Sequence, residues 1–376
     1  MQFDMIRKTI LFCDNTLWGL VNFRGVVIDH FIKKGYKVIL VAPQRVDSDM
    51  KTEIPSEVQY IPVELGRSSQ NPINDIKYFF SLYSIYKREK PDYIFHYTIK
   101  PNIYGTLAAR LLKIKSTAMM AGLGYVFMED NIVNKLARSL YRFALKYSNK
   151  VFLLNKQNVE QVVSKGICRA DNIIYLQGGE GVNLDYFPFV DNDSDEITFL
   201  MIGRVLLEKG YGEFVEAAKR MKSINPKLKF ELLGPIDESF PDSVSRKQIE
   251  KDERNGYINY LGFTDDVRVH LNRKGIVVVL PSFYGEGLNR SLMEACAMGK
   301  PIITTDIPGC REVVKENSNG YLVPAKNVDA LVAAMNAYCS LSVEERIEYT
   351  LNSRKWAEEC FDVKNVIKEY EKLILE

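Results

Sequence analysis

At 376 residues the chain exceeds what one hydrophobic core usually serves, and at about 100–200 residues per domain it predicts two domains. Hydrophobic residues at 46% and charged residues at 26%, with no Pro/Gly/Ser-rich tract, exclude a disordered or low-complexity chain. The net charge of +2 hides an asymmetry: residues 1–185 carry 25 Lys and Arg against 17 Asp and Glu, and residues 186–376 carry 25 against 31. That excess is too weak for a nucleic-acid groove but suits a first half that faces an anionic surface.

The N-terminal stretch MQFDMIRKTILFCDNTLW has an acidic residue where a signal peptide is basic, and its apolar run is short, so KTILFC reads as a first strand. A helix near 22–34, the strand YKVILVA, and DYIFHY followed by helical PNIYGTLAARLLK continue an alternation that marks βαβ units around a buried parallel sheet. The polar, acidic, Pro-containing stretch 188–196 reads as a linker, and its Asp191, Asp193 and Asp195 as solvated rather than metal-binding. A second series follows: ITFLMIG, the helix GYGEFVEAAKRMKS, KFELLG, INYLGF, GIVVVLP, a helix from about 288, and KPIITT. The expected fold is α/β, with two doubly wound domains: 1–187 with a C-terminal helix of about 357–376 packed back on it, and 188–356. Ligands in such sheets bind at the carboxyl ends of the strands, which places a substrate in a cleft between the domains.

No apolar run reaches the length of a membrane span. The cysteines at 13, 168, 296, 310, 339 and 360 stand singly, without a CxxC pair, and fit a reduced cytoplasmic protein without structural zinc. GLGYVF (122–127) and GGEGVN (178–183) both lack the third glycine of a dinucleotide fingerprint, which disfavours NAD.

Chemistry gathers in two segments. In LPSFYGEGLNRSLMEACAMGKPIITTDIPGCREVV (280–314) a strand ends at Pro281, a loop with Gly285 and Gly287 follows, and a helix opens near Leu288. Backbone N–H groups at the glycines and the helix start can cradle a diphosphate. Glu286 in the loop and Glu294 eight residues on can meet a sugar and a ribose, because a carboxylate accepts hydrogen bonds from two hydroxyls. Equally, Glu286 can serve the helix dipole and Glu294 can be a solvated helix residue. In MIGRVLLEKG (201–210) a strand ends in Gly203, and Arg204 and Lys209 in the following loop are either phosphate ligands or simple loop charges.

Gly-Arg…Glu-Lys-Gly, YLGFTDDV (260–267) and EGLNRSLMEACAMGKPIITTDIPGCREVV together resemble the retaining glycosyltransferases of family 4, with the GT-B fold, and the Glu286-x7-Glu294 spacing is that family's hallmark. The resemblance extends from residues 21–43 through 178–187 to 319–331. YTIKPNIYG (97–105) and LLGPIDE (232–238) resemble enzymes that build bacterial surface polysaccharides on a lipid carrier. It implies that Arg204 and Lys209 hold the donor diphosphate with the backbone of Gly203, Gly287 and Leu288, that Glu294 binds the ribose, and that Glu286 contacts the transferred hexose. Gly262 and Phe263 would flank the nucleobase, and Gly19, in the first strand-to-helix loop, would lie near the phosphates. Asn289 stands where relatives usually carry Pro, and Tyr97 where they often carry His. His96, Tyr97 and Lys100 are candidate acceptor or supporting residues, with His96 as a core residue the alternative.

What the resemblance implies is transfer of a hexose or N-acetylhexosamine from a nucleotide sugar, with UDP as the family's usual carrier, onto a lipid-diphosphate-linked glycan. The leaving phosphate takes the acceptor's proton, so neither a protein base nor a metal or other cofactor is required. A nucleotide-sugar 2-epimerase of the same fold and a non-catalytic nucleotide-sugar-binding partner are the rival readings. In NKLARSLYRFALKYSNK (134–150), Lys135, Arg138, Arg142, Lys146 and Lys150 form one helical stripe and Leu136, Leu140, Phe143 and Tyr147 the adjacent one. This pattern suits either an anionic inner membrane face or a core-packed helix with a solvated charged side.

Overall fold

The computed structural model describes residues 8–43, 54–65, 72–123, 132–238, 240, 242–285 and 287–376. The chain forms two compact units, residues 1–180 with 363–376 and residues 181–362.

The first unit contains, in chain order, β1 (Thr9–Cys13), α1 (Leu17–Lys33), β2 (Lys37–Ala42), β3 (Gln59–Pro62), α2 (Pro72–Glu89), β4 (Tyr93–Tyr97), α3 (Thr106–Leu111), β5 (Lys115–Met120), α4 (Ile132–Leu145), β6 (Lys150–Leu153), α5 (Lys156–Ser164) and β7 (Ile173–Tyr175), with a C-terminal helix Val363–Leu375. Its seven strands are all parallel, in the order β3-β2-β1-β4-β5-β6-β7. Both faces are covered, which is why these strands read as nearly unbroken apolar runs. Leu11 and Cys13 turn to one face, in a cluster with Ile39, Ile94, Tyr78 and Leu82. Phe12 turns to the other, stacked 5.4 Å from Phe95, which in turn lies 4.6 Å from Tyr370 of the C-terminal helix.

The second unit contains β8 (Thr198–Ile202), α6 (Tyr211–Ile224), β9 (Lys229–Leu233), α7 (Arg246–Arg254), β10 (Asn259–Gly262), α8 (Arg268–Leu271), β11 (Ile276–Leu280), α9 (Arg290–Ala297), β12 (Ile302–Thr305), β13 (Gly320–Val323), α10 (Val328–Cys339) and α11 (Val343–Cys360). Its six parallel strands take the order β10-β9-β8-β11-β12-β13. Strand order reverses between β1 and β4 in the first unit and between β8 and β11 in the second. These switch points are where doubly wound sheets bind ligands.

The unit boundaries fall six or seven residues from those expected at 187/188 and 356/357. Val182, Leu184 and Phe187 are buried in the second unit's core, as are Ala357, Cys360 and Phe361, so apolar burial carries both segments into that unit. Residues 188–196 are more than a solvated linker. Asn192 is buried, donates from Nδ2 to the Ile276 carbonyl (2.9 Å), and accepts at Oδ1 from the Ile276 N–H (3.0 Å) and from Lys300 Nζ (2.9 Å). The polar stretch thus satisfies the start of β11.

Candidate active site

In the second unit, the loops after β8 and β11 are joined directly. The Glu208 carbonyl accepts from the Phe283 N–H (2.9 Å) and from Ser282 Oγ (3.3 Å), and Ser291 Oγ donates to the Ile202 carbonyl (3.1 Å). Gly210 is left-handed (φ 86°), and a Cβ there would overlap the Pro281 carbonyl, so only glycine lets the two loops close up. Arg204 is exposed, its guanidinium 4.5 Å from the Phe240 ring centroid. Lys209 is buried to 8% exposure, with Nζ 5.7 Å from the Tyr284 ring centroid. The loops that carry both cations therefore meet at the switch point of one sheet, where Ser291 at the start of α9 bonds the end of β8.

Three glycines end three neighbouring strands. The Gly203 N–H donates to the Leu233 carbonyl (3.0 Å) and the Gly234 N–H to the Gly262 carbonyl (2.8 Å). Gly234 has φ 153°, and a Cβ on it would overlap the Gly203 carbonyl oxygen. Phe263, 46% exposed, follows this side-chain-free row directly. Sequence reading assigned Gly203, Gly262 and Phe263 but missed Gly234. Its signal was the glycine of LLGPIDE at a strand end, in register with Gly203.

The helix expected from Leu288 begins at Arg290. Asn289 is extended and caps it, its Oδ1 accepting from the Leu292 N–H (3.1 Å), while its own N–H donates to the Gly309 carbonyl (2.8 Å). Leu288 thus precedes the helix and packs partly against the core, next to Gly287. Glu294 sits about one turn into α9. Arg290 Nε donates to its Oε1 (2.7 Å); burial pushes the carboxyl above its ordinary value, Arg290 opposes the shift, and Asp266 reinforces it. Glu286 lies outside the described residues.

The first unit places its candidates differently from expectation. Gly19 is inside α1, where its N–H donates to the capping Thr16 Oγ1 (2.8 Å), and a Cβ would stand 3.1 Å from Asp14 Oδ2. Asp14 is itself buried; desolvation raises its pKa, opposed by Arg24, whose Nη1 lies 3.4 Å from Oδ2. Arg24 also pairs with Glu180 and stacks 4.3 Å from the Tyr97 ring centroid.

His96 and Tyr97 do point to opposite faces, but both are buried and neither is open to a substrate. Tyr97 Oη lies 2.9 Å from Tyr370 Oη. His96 Nε2 lies 3.0 Å from Tyr86 Oη and Nδ1 3.4 Å from Thr106 Oγ1, and burial pushes its pKa down to about 3. It is a neutral core residue. Lys100, which follows β4, pairs with Asp75 (2.8 Å).

Helix α4 divides its apolar stripe. Leu136, Phe143 and Tyr147 are exposed, whereas Leu140 packs against the first unit's core. Among the described residues no cluster of three or more His, Cys, Asp or Glu is placed to hold a metal, and no helix is long and apolar enough to cross a membrane.

Two all-parallel Rossmann-like domains of this strand order are those of the GT-B fold, and comparison with known proteins adds the activity. The profile of glycosyl transferases group 1 matches residues 185–356, and that of glycosyl transferase 4-like domains residues 9–155. The chain is 30% identical over 331 residues to the N,N'-diacetylbacillosaminyl-diphospho-undecaprenol alpha-1,3-N-acetylgalactosaminyltransferase of Campylobacter jejuni, covering 83% of this chain and 84% of that protein. It is 26% identical to the UDP-Gal:alpha-D-GlcNAc-diphosphoundecaprenol alpha-1,3-galactosyltransferase of Escherichia coli, over 70% of each. Among solved structures, a glycosyltransferase from Rickettsia africae superimposes with a TM-score of 0.78 at 21% identity, over 98% of both chains. The chain belongs to the group 1 glycosyltransferases. That membership decides for glycosyl transfer over epimerisation and over binding alone.

Proposed function

We propose that the protein transfers a hexose or N-acetylhexosamine from a UDP-sugar, with retention and without a metal, to a glycan carried on a lipid diphosphate. The observation that carries this reading is the junction of the loops after β8 and β11. It joins the loops that carry Arg204 and Lys209 to the start of α9 at one switch point, which supports a site where cations and N–H donors meet a departing diphosphate. Gly203, Gly287 and Leu288 offer backbone to the phosphates, Glu294 accepts from the ribose hydroxyls, and Gly262 and Phe263 flank the base. Glu286 meets the hexose. As the bond from the anomeric carbon to phosphate oxygen breaks, the acceptor oxygen bonds to the same face and its proton passes to the departing phosphate. The named relatives make alpha-1,3 linkages on diphosphate-undecaprenol glycans, and one uses UDP-Gal, which supports both the donor and the acceptor class.

A lipid-linked acceptor requires approach to a bilayer, and α4 offers the means. Leu136, Phe143 and Tyr147 are exposed beside Lys135 and Lys146, a pairing suited to an anionic membrane face. The enzyme is then a peripheral protein of the cytoplasmic membrane.

The test is release of UDP from a panel of UDP-sugars, with and without an undecaprenyl-diphosphate-linked saccharide and with chelator present. Acceptor-dependent release is expected, with kcat falling on the order of 10²–10³-fold in Arg204→Ala. Absence of acceptor-dependent release with every UDP-sugar, alongside release from GDP- or ADP-sugars, would overturn the donor assignment.

A further inference from the structure

At the amino-terminal edge of the first unit's sheet, opposite the switch point, a pocket of about 1150 Å³ opens between the end of α4, the end of α5 and the starts of β6 and β7. Arg142, Lys146, Lys150 and Arg169 line it with a single acid, Asp171. Arg142 donates to the Gly166 (3.0 Å) and Lys165 (2.9 Å) carbonyls, and Lys150 Nζ to the Asp171 carbonyl (2.8 Å). No salt bridge among the described residues pairs Arg142 or Lys150 with a carboxylate, although Lys150 is near enough to Asp171 to help Arg169 lower its pKa. Arg169 and Asp171 form an exposed pair, which leaves the pocket with a net excess of three positive charges.

The walls are apolar, with Leu145, Val163 and Ile167 among them, and the exposed rings of Phe143 and Tyr147 lie on the adjoining surface of α4 and the turn that follows it. A cationic pocket with apolar walls beside an exposed aromatic strip matches a ligand that is anionic at its head and apolar just behind it. We propose that the pocket binds the phosphodiester head group of an anionic phospholipid, separately from either substrate. Free phosphate shares the anionic chemistry, but makes no use of the apolar walls. This inference rests on the reading of α4 as the membrane-facing helix. It adds that attachment is selective for a head group instead of diffuse.

The experiment uses the full chain and two forms of lipid. Monomeric dihexanoyl-phosphatidylglycerol, below its micellar concentration, is titrated calorimetrically against dihexanoyl-phosphatidylcholine and inorganic phosphate. Sedimentation with vesicles of phosphatidylcholine, with or without roughly 30 mol% phosphatidylglycerol, reports bilayer attachment. The short-chain anionic lipid is expected to bind, and the exposed double variant Lys146→Gln/Arg169→Gln to weaken it roughly 30-fold, at about fivefold per cation lost. Leu136→Glu, at the far end of α4, is expected to abolish vesicle sedimentation and leave the short-chain titration unchanged. If vesicles bind but the monomeric lipid does not, or the double variant binds it as wild type does, the pocket is refuted and the membrane reading stands. Short-chain binding without vesicle sedimentation supports the pocket and removes the membrane reading. Inorganic phosphate binding as tightly as the lipid identifies a phosphate site and overturns the lipid assignment.

Discussion

His96 offers a sharp test of the first unit's packing. Its ring is fully buried, its two nitrogens face the hydroxyls of Tyr86 and Thr106, and among the described residues no carboxylate is paired with it to stabilise an imidazolium. Burial moves the pKa from 6.5 to about 3. A folded-state pKa below the unfolded one contributes stability that is fully present above the unfolded value and is lost as pH falls toward the folded one. At pH 5 the unfolded chain holds this proton and the native protein does not, which costs about 2 kcal/mol relative to neutral pH.

The two tryptophans, Trp18 and Trp356, fall in different units, so a Trp356→Phe background leaves Trp18 to report on the first. Urea unfolding between about pH 7.5 and pH 5 should then destabilise the parent by about 2 kcal/mol more than His96→Gln, whatever the variant's own baseline stability. Carboxylates that titrate in both proteins cancel in this difference. Parallel pH dependences, within about 0.5 kcal/mol, would refute a buried neutral imidazole.

Two further outcomes bear on the second unit. Gly234→Ala should cost at least about 3 kcal/mol and lower that unit's melting temperature by several degrees, because its Cβ meets the Gly203 carbonyl at a backbone angle that only glycine adopts readily; near-parental stability would show that the strand ends are not so closely stacked. Burial raises the Glu294 pKa, so on the ribose-binding reading UDP affinity should weaken on acidification from a higher pH than an ordinary glutamate would give. Glu294→Gln should flatten that dependence, and a titration of UDP affinity with pH in both proteins checks it.

The parts of this molecule that read clearly from sequence are those set by local composition. A strand buried on both faces must be a continuous apolar run, so IVVVL and TFLMI announce themselves, and Pro281 and Gly203 directly after them mark the loop starts. Arg204 and Lys209 stand out as candidates because they follow such a strand, where charge can meet a ligand, and Glu294 stands out by its spacing from Glu286. What local reading could not supply was pairing over long separations. Tyr97 aligns with a position where a histidine is often found, yet its hydroxyl is used 273 residues away, on Tyr370. Asn192 looks like linker and serves Ile276 and Lys300. The start of α9 was misplaced for a local reason that was present in the sequence, because Asn289 is a strong capping residue and a helix starts after its cap.

The charge asymmetry sharpens when assigned to the observed units. Residues 1–180 with 363–376 hold 28 Lys and Arg against 19 Asp and Glu, and residues 181–362 hold 22 against 29. On the proposed reading, the unit that binds an anionic nucleotide sugar is therefore the acidic one, and its overall field opposes the ligand. Capture must then rest on short-range groups: Arg204, the largely buried Lys209 and the α9 terminus act within a few ångströms, where solvent screens them little, whereas the surrounding carboxylates act through water. Raising ionic strength should accordingly leave donor affinity nearly unchanged, while attachment of the basic first unit to an anionic bilayer should weaken steeply. Opposite salt responses in one chain separate a built phosphate site from a surface held by charge excess.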